Sequence, residues 1–135
     1  MGQKIYLDTN LYIAFFEGES GISQKVEDLL VTSKDNRLRI ISSPLTITEL
    51  LIIPLKDENL HLIEVYKSLK SHINNIDFID FSFDISITAA NLRSKYNLSI
   101  PDCIHLATAI AEKVDVFYTA DKEIKKVKEI KVELI

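Results

Sequence analysis

Short apolar segments of the strand type alternate with helical patterns along this whole chain, and this alternation restricts the fold more than any other feature. The strand-like segments occupy residues 5–7, 38–42, 76–81, 116–119 and 130–134. Strands that are separated by helices connect through right-handed crossovers into a parallel sheet with helices on both faces. The sequence therefore predicts an α/β fold, a three-layer α/β/α sandwich with a mostly parallel, about five-stranded sheet.

Helices are predicted in the intervals between the strands, over residues 9–16, 22–30, 45–55, 58–73, 85–96 and 102–113. The signals at helix ends are Ser43 with Pro44, Pro54, Asp84 as an N-cap, Pro101, and a turn at Asp35 and Asn36. The last strand alternates apolar and charged residues, which predicts an edge strand with one solvated face.

Composition limits the class of protein. A chain of 135 residues with 47% hydrophobic residues is long enough for one domain with a true core, so we expect a single domain over residues 1–135. The net charge of −4 speaks against a passive nucleic-acid binder. No apolar run approaches the ~18 residues of a membrane span, and the start lacks the pattern of a signal peptide, so we expect a cytoplasmic protein. The single cysteine, Cys103, is predicted to be a small buried hydrophobe.

Four acidic residues, Asp8, Glu49, Asp102 and Asp121, stand among apolar neighbours. Three have a structural explanation of their own: Asp8 can cap the helix that follows it, Asp102 suits a first helical turn, and Asp121 can be a cap or a solvated turn residue. Glu49 is the only charge between residues 45 and 55, where capping does not explain it. The structural alternative for Glu49 is a buried partner such as a lysine.

The four acids also share a predicted location. Asp8 and Asp121 follow the first and fourth strands, while Glu49 and Asp102 lie in helices after the second and third. In an open parallel sheet these positions converge on the crevice at the carboxyl ends of the strands. Several carboxylates in one crevice repel one another unless a hard cation binds, and Mg²⁺ or Mn²⁺ is the usual one. Such ions activate water for attack on a phosphodiester.

Four segments in this order resemble a known family: IYLDTN, LTITELL, LSIPDCIHLATAI and VFYTAD. They are similar to the PIN-domain ribonucleases, especially the small VapC-type toxins of toxin–antitoxin pairs. The resemblance covers essentially the whole chain. It implies a Mg²⁺- or Mn²⁺-dependent endoribonuclease that acts on RNA, with an antitoxin protein as partner and a homodimer as the assembly.

The resemblance also assigns roles to residues of this chain. Asp8, Glu49, Asp102 and Asp121 would be the catalytic and metal-binding carboxylates, and Thr9, Asn10 and Thr119 would orient them. The chain departs from the family pattern in two places: it has residues 113–115 where a glycine is frequent, and Ile124 where a phenylalanine is frequent. Both departures concern packing more than chemistry.

Other polar residues are ambiguous. His105 follows Asp102 by three residues, so it could transfer protons, but packing or hydrogen bonding is the favoured role. The possible RNA contacts are Arg93 and Lys122. The lysines at 122, 125, 126, 128 and 131 alternate with acidic residues and could equally be a solvated face.

Two other functions are compatible with the sequence. The first is a PIN-like module that binds RNA or protein without nuclease activity. The second is a phosphatase of the haloacid-dehalogenase type with Asp8 as nucleophile, but that chemistry needs a second aspartate where this chain has Asn10.

Overall fold

The first strand, β1 (Gln3–Leu7), lies in the middle of a parallel sheet. The computed structural model describes residues 2–18, 21–33 and 37–135. In these residues the other strands are β2 (Leu38–Ser42), β3 (Ile76–Phe78), β4 (Val116–Thr119) and β5 (Val132–Leu134). The strand order is β3-β2-β1-β4-β5, and every neighbouring pair is parallel. The predicted parallel sheet is confirmed, with β5 at one edge as expected.

Helices occupy both faces of this sheet. They are α1 (Thr9–Glu17), α2 (Ile22–Ser33), α3 (Pro44–Lys56), α4 (Leu60–Lys67), α5 (Leu69–His72), α6 (Phe83–Tyr96) and α7 (Ile100–Ala111). A short 3-10 helix, Lys122–Lys126, precedes β5. The predicted turn at Asp35 and Asn36 lies outside the described residues. In the part of the chain that the structure describes, no helix is both long and apolar enough to cross a membrane.

The side chains of β1 show why the sheet has two covered faces. Ile5 and Leu7 point to one side, into a core shared with α1 to α5, whereas Tyr6 points to the other side, into a core shared with α6 and α7. All three are fully buried. Cys103 lies in the second core with no exposed surface, so its prediction as a buried hydrophobe is confirmed. The three-layer α/β/α architecture follows from this division.

Several predicted ends of helices and strands differ from those in the structure. The helix predicted over residues 58–73 is divided at Ser68, whose hydroxyl donates to the Glu64 carbonyl at 2.6 Å and so competes with the helical backbone pattern. The predicted cap Asp84 is wrong: the Ser82 hydroxyl accepts from the Ile85 N–H at 3.2 Å, and Asp84 lies in the first turn. The third strand ends at Phe78 rather than at residue 81.

Further differences concern the second half of the chain and α3. The last strand starts at Val132, two residues later than predicted. The third helix continues two residues past Pro54, to Lys56. In contrast, Ser43 caps α3 as predicted, accepting from the Leu45 N–H at 3.1 Å.

Candidate active site

Asp8 stands where β1 ends, and the sheet itself fixes its position. Its backbone N–H donates to the Tyr118 carbonyl at 3.0 Å, which continues the pairing of β1 with β4 by one residue. Its carboxylate caps α1, accepting from the Thr9 N–H at 2.9 Å, and also accepts from the Thr119 hydroxyl at 2.8 Å. Asp8 is only 5% exposed. The capping interpretation is therefore correct, and Asp8 also stands at the carboxyl end of β1, where the sequence predicts the crevice.

The Thr119 side chain joins the ends of β1 and β4. Its hydroxyl donates to Asp8 Oδ2 and accepts from the Asp121 N–H at 3.0 Å. The Asn10 amide group lies beside this hydroxyl group. Its nitrogen is 3.4 Å from Asp8 Oδ2, and its oxygen accepts from the Ala120 N–H at 3.3 Å. These contacts match the orienting roles that the sequence predicts for Asn10 and Thr119.

Asp121 follows β4 and caps the 3-10 helix, accepting from the Glu123 N–H at 2.9 Å. The Thr119 hydroxyl contacts both its backbone N–H and the Asp8 carboxylate, so one side chain connects the two acidic residues. As with Asp8, a capping residue and a candidate ligand are the same side chain.

Glu49 reaches the site from α3 and has a buried partner. His105 Nε2 lies 2.6 Å from Glu49 Oε1, and the Thr9 hydroxyl donates to the same oxygen at 2.8 Å. The Thr46 hydroxyl, one helical turn before Glu49, lies 3.0 Å from that of Thr9. Oε1 thus accepts two hydrogen bonds, while Oε2 accepts none from the described residues. The structural alternative for Glu49 was a buried partner such as a lysine, and the structure supplies a buried partner that is a histidine.

His105 is 1% exposed and is held from both sides of its ring. The Tyr6 hydroxyl lies 2.6 Å from Nδ1, opposite the nitrogen that contacts Glu49. Burial raises the pKa of Tyr6 well above its ordinary value, and the negative charges of Asp8 and Glu49 contribute, so Tyr6 keeps its proton and can donate it to Nδ1. The opposite ring nitrogen, Nε2, is the one that donates to Glu49.

This arrangement explains the pKa of Glu49. Burial alone would raise it, but the hydrogen bond and charge of His105, with the hydroxyl of Thr9, lower it below its usual range. Glu49 is therefore ionised in the folded protein. The predicted hydrogen-bonding role of His105 is confirmed.

Asp102 lies in the first turn of α7, which Ser99 caps by accepting from the Asp102 N–H at 3.2 Å. Burial raises the pKa of Asp102, and the charges of Asp121 and Glu49 raise it further, against the opposite effects of Ser99 and His105. The four predicted acids are thus close enough to influence one another.

Burial acts in the same direction on Asp8. Burial raises its pKa, and the charge of Asp102 adds to that, while His105 and the Thr119 hydroxyl act in the opposite direction. An ionised carboxylate at this position is costly without a cation.

The carboxylates have the donor chemistry that Mg²⁺ and Mn²⁺ prefer. Within the described residues, however, no group of three or more acidic, histidine or cysteine side chains is arranged so that it could hold one metal ion. The acids are neighbours at one edge of the sheet, but their oxygens are directed to Thr9, Thr119, His105 and backbone N–H groups. The site therefore supplies suitable donors without a preassembled coordination shell.

The two predicted RNA contacts have different surroundings. The Arg93 guanidinium donates to the Leu98 carbonyl and so holds the connection between α6 and α7. Lys122 is exposed directly after Asp121 and has no ion-pair partner among the described residues. Lys126 pairs with Glu123 at 3.2 Å.

The chain is similar to known proteins in sequence and in fold. A family model described as PIN domain matches residues 5–130. The chain belongs to the PIN domain family. The same fold occurs in VapBC2 from Rickettsia felis bound to a promoter DNA fragment, with a TM-score of 0.72, 20% identity and 98% of both chains covered. Membership of this family leaves the phosphatase alternative without support.

Two other solved structures share this fold at 22% and 11% identity. A toxin–antitoxin complex from Klebsiella pneumoniae has a TM-score of 0.66 and 22% identity over 93% of this chain and 94% of that one. VapC20 from Mycobacterium tuberculosis, described as a sarcin–ricin loop cleaving toxin, has a TM-score of 0.72 and 11% identity over 94% and 98%. No curated protein sequence matches the chain. At these identities the structures establish the fold.

Two residues of the site escaped sequence reasoning, Tyr6 and Thr46. Their signals were present: strand alternation places Tyr6 opposite Ile5 and Leu7, and Thr46 precedes Glu49 by three residues on the same helical face. Nothing local indicated that both would meet His105 or Thr9.

Proposed function

We propose that this PIN-domain protein is a Mg²⁺- or Mn²⁺-dependent endoribonuclease that hydrolyses RNA phosphodiester bonds. The observation that carries the proposal is the position of Asp8, a buried carboxylate whose pKa is raised by burial and by the charge of Asp102, and which has no lysine or arginine among its described contacts. A site of this kind is unfavourable until a divalent cation binds.

In the proposed mechanism Asp8, Glu49, Asp102 and Asp121 would hold the metal. When bound, the ion supplies charge neutralisation at the phosphate and a water of lowered pKa. Thr9, Asn10 and Thr119 keep the carboxylates oriented, and His105 holds Glu49 through one oxygen and leaves the other available. One of the carboxylates accepts the proton of the attacking water.

The direct test is cleavage of mixed RNA by the purified protein with Mg²⁺, with Mn²⁺ and with EDTA. We expect cleavage only with a divalent ion, and its loss in the Asp8→Asn variant. Asp80→Asn is the matched control, because Asp80 is exposed and outside the site. Equal cleavage by wild type and Asp8→Asn, or none by wild type with either ion, contradicts the proposal. The second outcome, combined with retained RNA or protein binding, supports the alternative of a binding module.

We further propose that the protein is the toxin of a toxin–antitoxin pair. The support is the fold shared with two toxin–antitoxin complexes and an RNA-cleaving toxin. A single PIN-like domain over residues 1–135 in the cytoplasm suits this role. Co-expression with the product of the neighbouring reading frame tests it: rescue of growth and co-purification are expected, and growth inhibition that persists contradicts an antitoxin there.

Homodimerisation completes the proposal. Exposed apolar side chains lie on two surfaces, one on α3 and α4, with Ile52, Ile53, Leu55 and Leu60, and one on α6 and α7. The second surrounds a groove and includes Phe81, Phe83, Ile87 and Ile100, which are 49% to 79% exposed. Aromatic residues are enriched at protein interfaces. We assign the second copy to the α6–α7 surface and leave the α3–α4 surface for the antitoxin.

A further inference from the structure

A pocket beside the break between α4 and α5 combines lysines with an aromatic ring. Its volume is about 350 Å³. The wall consists of Ile47 on α3, the segment from Tyr66 to Ser71, and Phe78 at the end of β3. Lys67 and Lys70 belong to this segment and are exposed. The break at Ser68 therefore presents two lysines to one pocket.

The charge of these lysines is uncompensated by close ion pairs. Neither Lys67 nor Lys70 has an acidic partner within the residues that the structure describes. The Lys70 ammonium group instead lies 5.7 Å from the centre of the Phe78 ring. At the β5 edge of the sheet Lys126 pairs with Glu123 and Lys131 with Glu133, whereas Lys122 has no ion-pair partner among the described residues. A polyanion would find unpaired positive charge on the β3 side.

The pocket is close to the candidate active site. Phe78 pairs in register with Ser42, the last residue of β2, and the next residue, Ser43, caps α3. Ile47 in the pocket wall lies on α3, the helix that carries Glu49, but the two side chains face different directions because they are two residues apart. Because neighbouring strands lie about 4.8 Å apart, β3 is roughly 10 Å from β1 and Asp8. A nucleic-acid strand that enters the active site can reach the pocket a short distance along its backbone.

We propose that this pocket is a subsite for single-stranded RNA that flanks the cleaved bond, with one base stacked on Phe78 and phosphates bound by Lys67 and Lys70. Single-strand binding surfaces combine a positively charged groove with aromatic rings that accept any base. When RNA binds, the Lys70 ammonium group leaves the face of the Phe78 ring and contacts a phosphate instead. The inference rests on the proposed ribonuclease function, because the pocket would bind the RNA substrate of that reaction.

The test is binding rather than cleavage. The affinity of a fluorescent single-stranded RNA of mixed sequence is measured by anisotropy in EDTA between 50 and 200 mM salt, with the full chain. Each lost phosphate contact lowers the slope of log K against log salt by about 0.7. We expect the Lys67→Gln/Lys70→Gln variant to lose about 1.4 of this slope. Lys126→Gln/Lys131→Gln removes the same charge from the opposite side and should change the slope by less than half as much.

Phe78 has its own variants. Phe78→Leu should weaken binding by about tenfold at every salt concentration, because stacking is not electrostatic. Phe78→Tyr keeps the ring and should retain the affinity of wild type. Thermal unfolding checks that Phe78→Leu remains folded, since this ring also packs against the first core.

The outcomes separate the subsite from the nuclease. Salt slopes that are equal in wild type and the Lys67/Lys70 variant, or RNA that does not bind to wild type, overturn the subsite. An acidic peptide that binds through Lys67 and Lys70 while RNA ignores them also overturns it and favours a protein partner. RNA binding that depends on both lysines in a protein that cleaves nothing supports the subsite and rejects the nuclease.

Discussion

His105 Nε2 lies 2.6 Å from Glu49 Oε1, and this contact connects α7 to α3 at the candidate active site. Tyr6 holds the opposite nitrogen of the ring at 2.6 Å. The hydrogen bonds from Tyr6 to His105 and from His105 to Glu49 therefore hold the Glu49 carboxylate in place from the buried side. Glu49 thus has both a buried partner and a free oxygen, so a structural and a functional role coexist in one side chain.

Replacing His105 by leucine should reduce RNA cleavage by about 10- to 100-fold, because an outer group that orients a ligand is lost. It should also lower the free energy of unfolding by about 1–3 kcal/mol, because Tyr6 and Glu49 lose a buried partner. His105→Gln can still accept from Tyr6 and donate to Glu49, so we expect it to recover most of both. Cleavage assays and urea denaturation provide the measurements. Equal effects of the two variants would contradict a positioning role.

The Asp8→Asn variant should be more stable than wild type in EDTA near pH 7. Burial raises the pKa of Asp8 above the ordinary value of 3.8, so the folded state disfavours the ionised form. The stability associated with the protonated group is complete below the ordinary pKa and is lost as the pH rises through the raised pKa. The difference between variant and wild type should therefore grow from pH 3.5 upward.

Thermal unfolding across this pH range measures the effect of Asp8. Adding Mg²⁺ or Mn²⁺ at pH 7 should stabilise wild type more than the variant, because ligand binding to the folded state shifts its stability. A variant that is less stable than wild type in EDTA at pH 7 would show that the hydrogen bonds to Thr9 and Thr119 outweigh the cost of burial.

Lys113→Gly should stabilise the protein by up to about 1 kcal/mol. Lys113 follows α7 with a φ of 53°, a left-handed conformation that costs a non-glycine residue about 1–2 kcal/mol. Its N–H bonds to the Ile110 carbonyl at 3.0 Å in the turn that ends the helix. Glycine removes the strain, although it loses more entropy on folding.

The matched control for Lys113 is Ala111→Gly. Ala111 is an exposed residue in the last turn of α7, and glycine there should destabilise by about 0.5–1 kcal/mol. Guanidinium denaturation compares the two. A loss of stability in both variants would contradict the assignment of strain to Lys113.

The oligomeric state depends on which apolar surface binds the second copy. We expect wild type to be a dimer at micromolar concentration and Phe83→Asp, in the α6–α7 surface, to be a monomer, because a buried unpaired charge is strongly unfavourable. Ile53→Asp, in the α3–α4 surface, should remain a dimer. Size exclusion with light scattering measures both. A monomeric wild type, or a dimer that only Ile53→Asp breaks, would contradict the assignment.

The sequence alone determined the parallel α/β architecture and the family. Strand and helix patterns, and the acids that follow them, depend on neighbours a few residues away, so Asp8, Glu49, Asp102 and Asp121 could be placed at one edge of the sheet. The sequence also showed that residues 113–115, after α7, lack the glycine that is frequent in the family. The structure shows the consequence, because Lys113 adopts a left-handed φ of 53°. Helix boundaries were less well determined. A hydroxyl such as that of Ser68 can compete with the helical backbone hydrogen bonds, and the spacing of apolar residues does not show whether it will do so.

Only the tertiary structure decided how the acids are held. Glu49 and His105 are 56 residues apart, and Tyr6 and His105 are 99 apart, so no local pattern could pair them. Thr119 reaches Asp8 across 111 residues because β1 and β4 are adjacent in the sheet. Which donor takes which oxygen depends on the packing of α3 and α7 against opposite faces of that sheet. The residue types were thus readable in the chain, while their hydrogen-bond partners arose from folding.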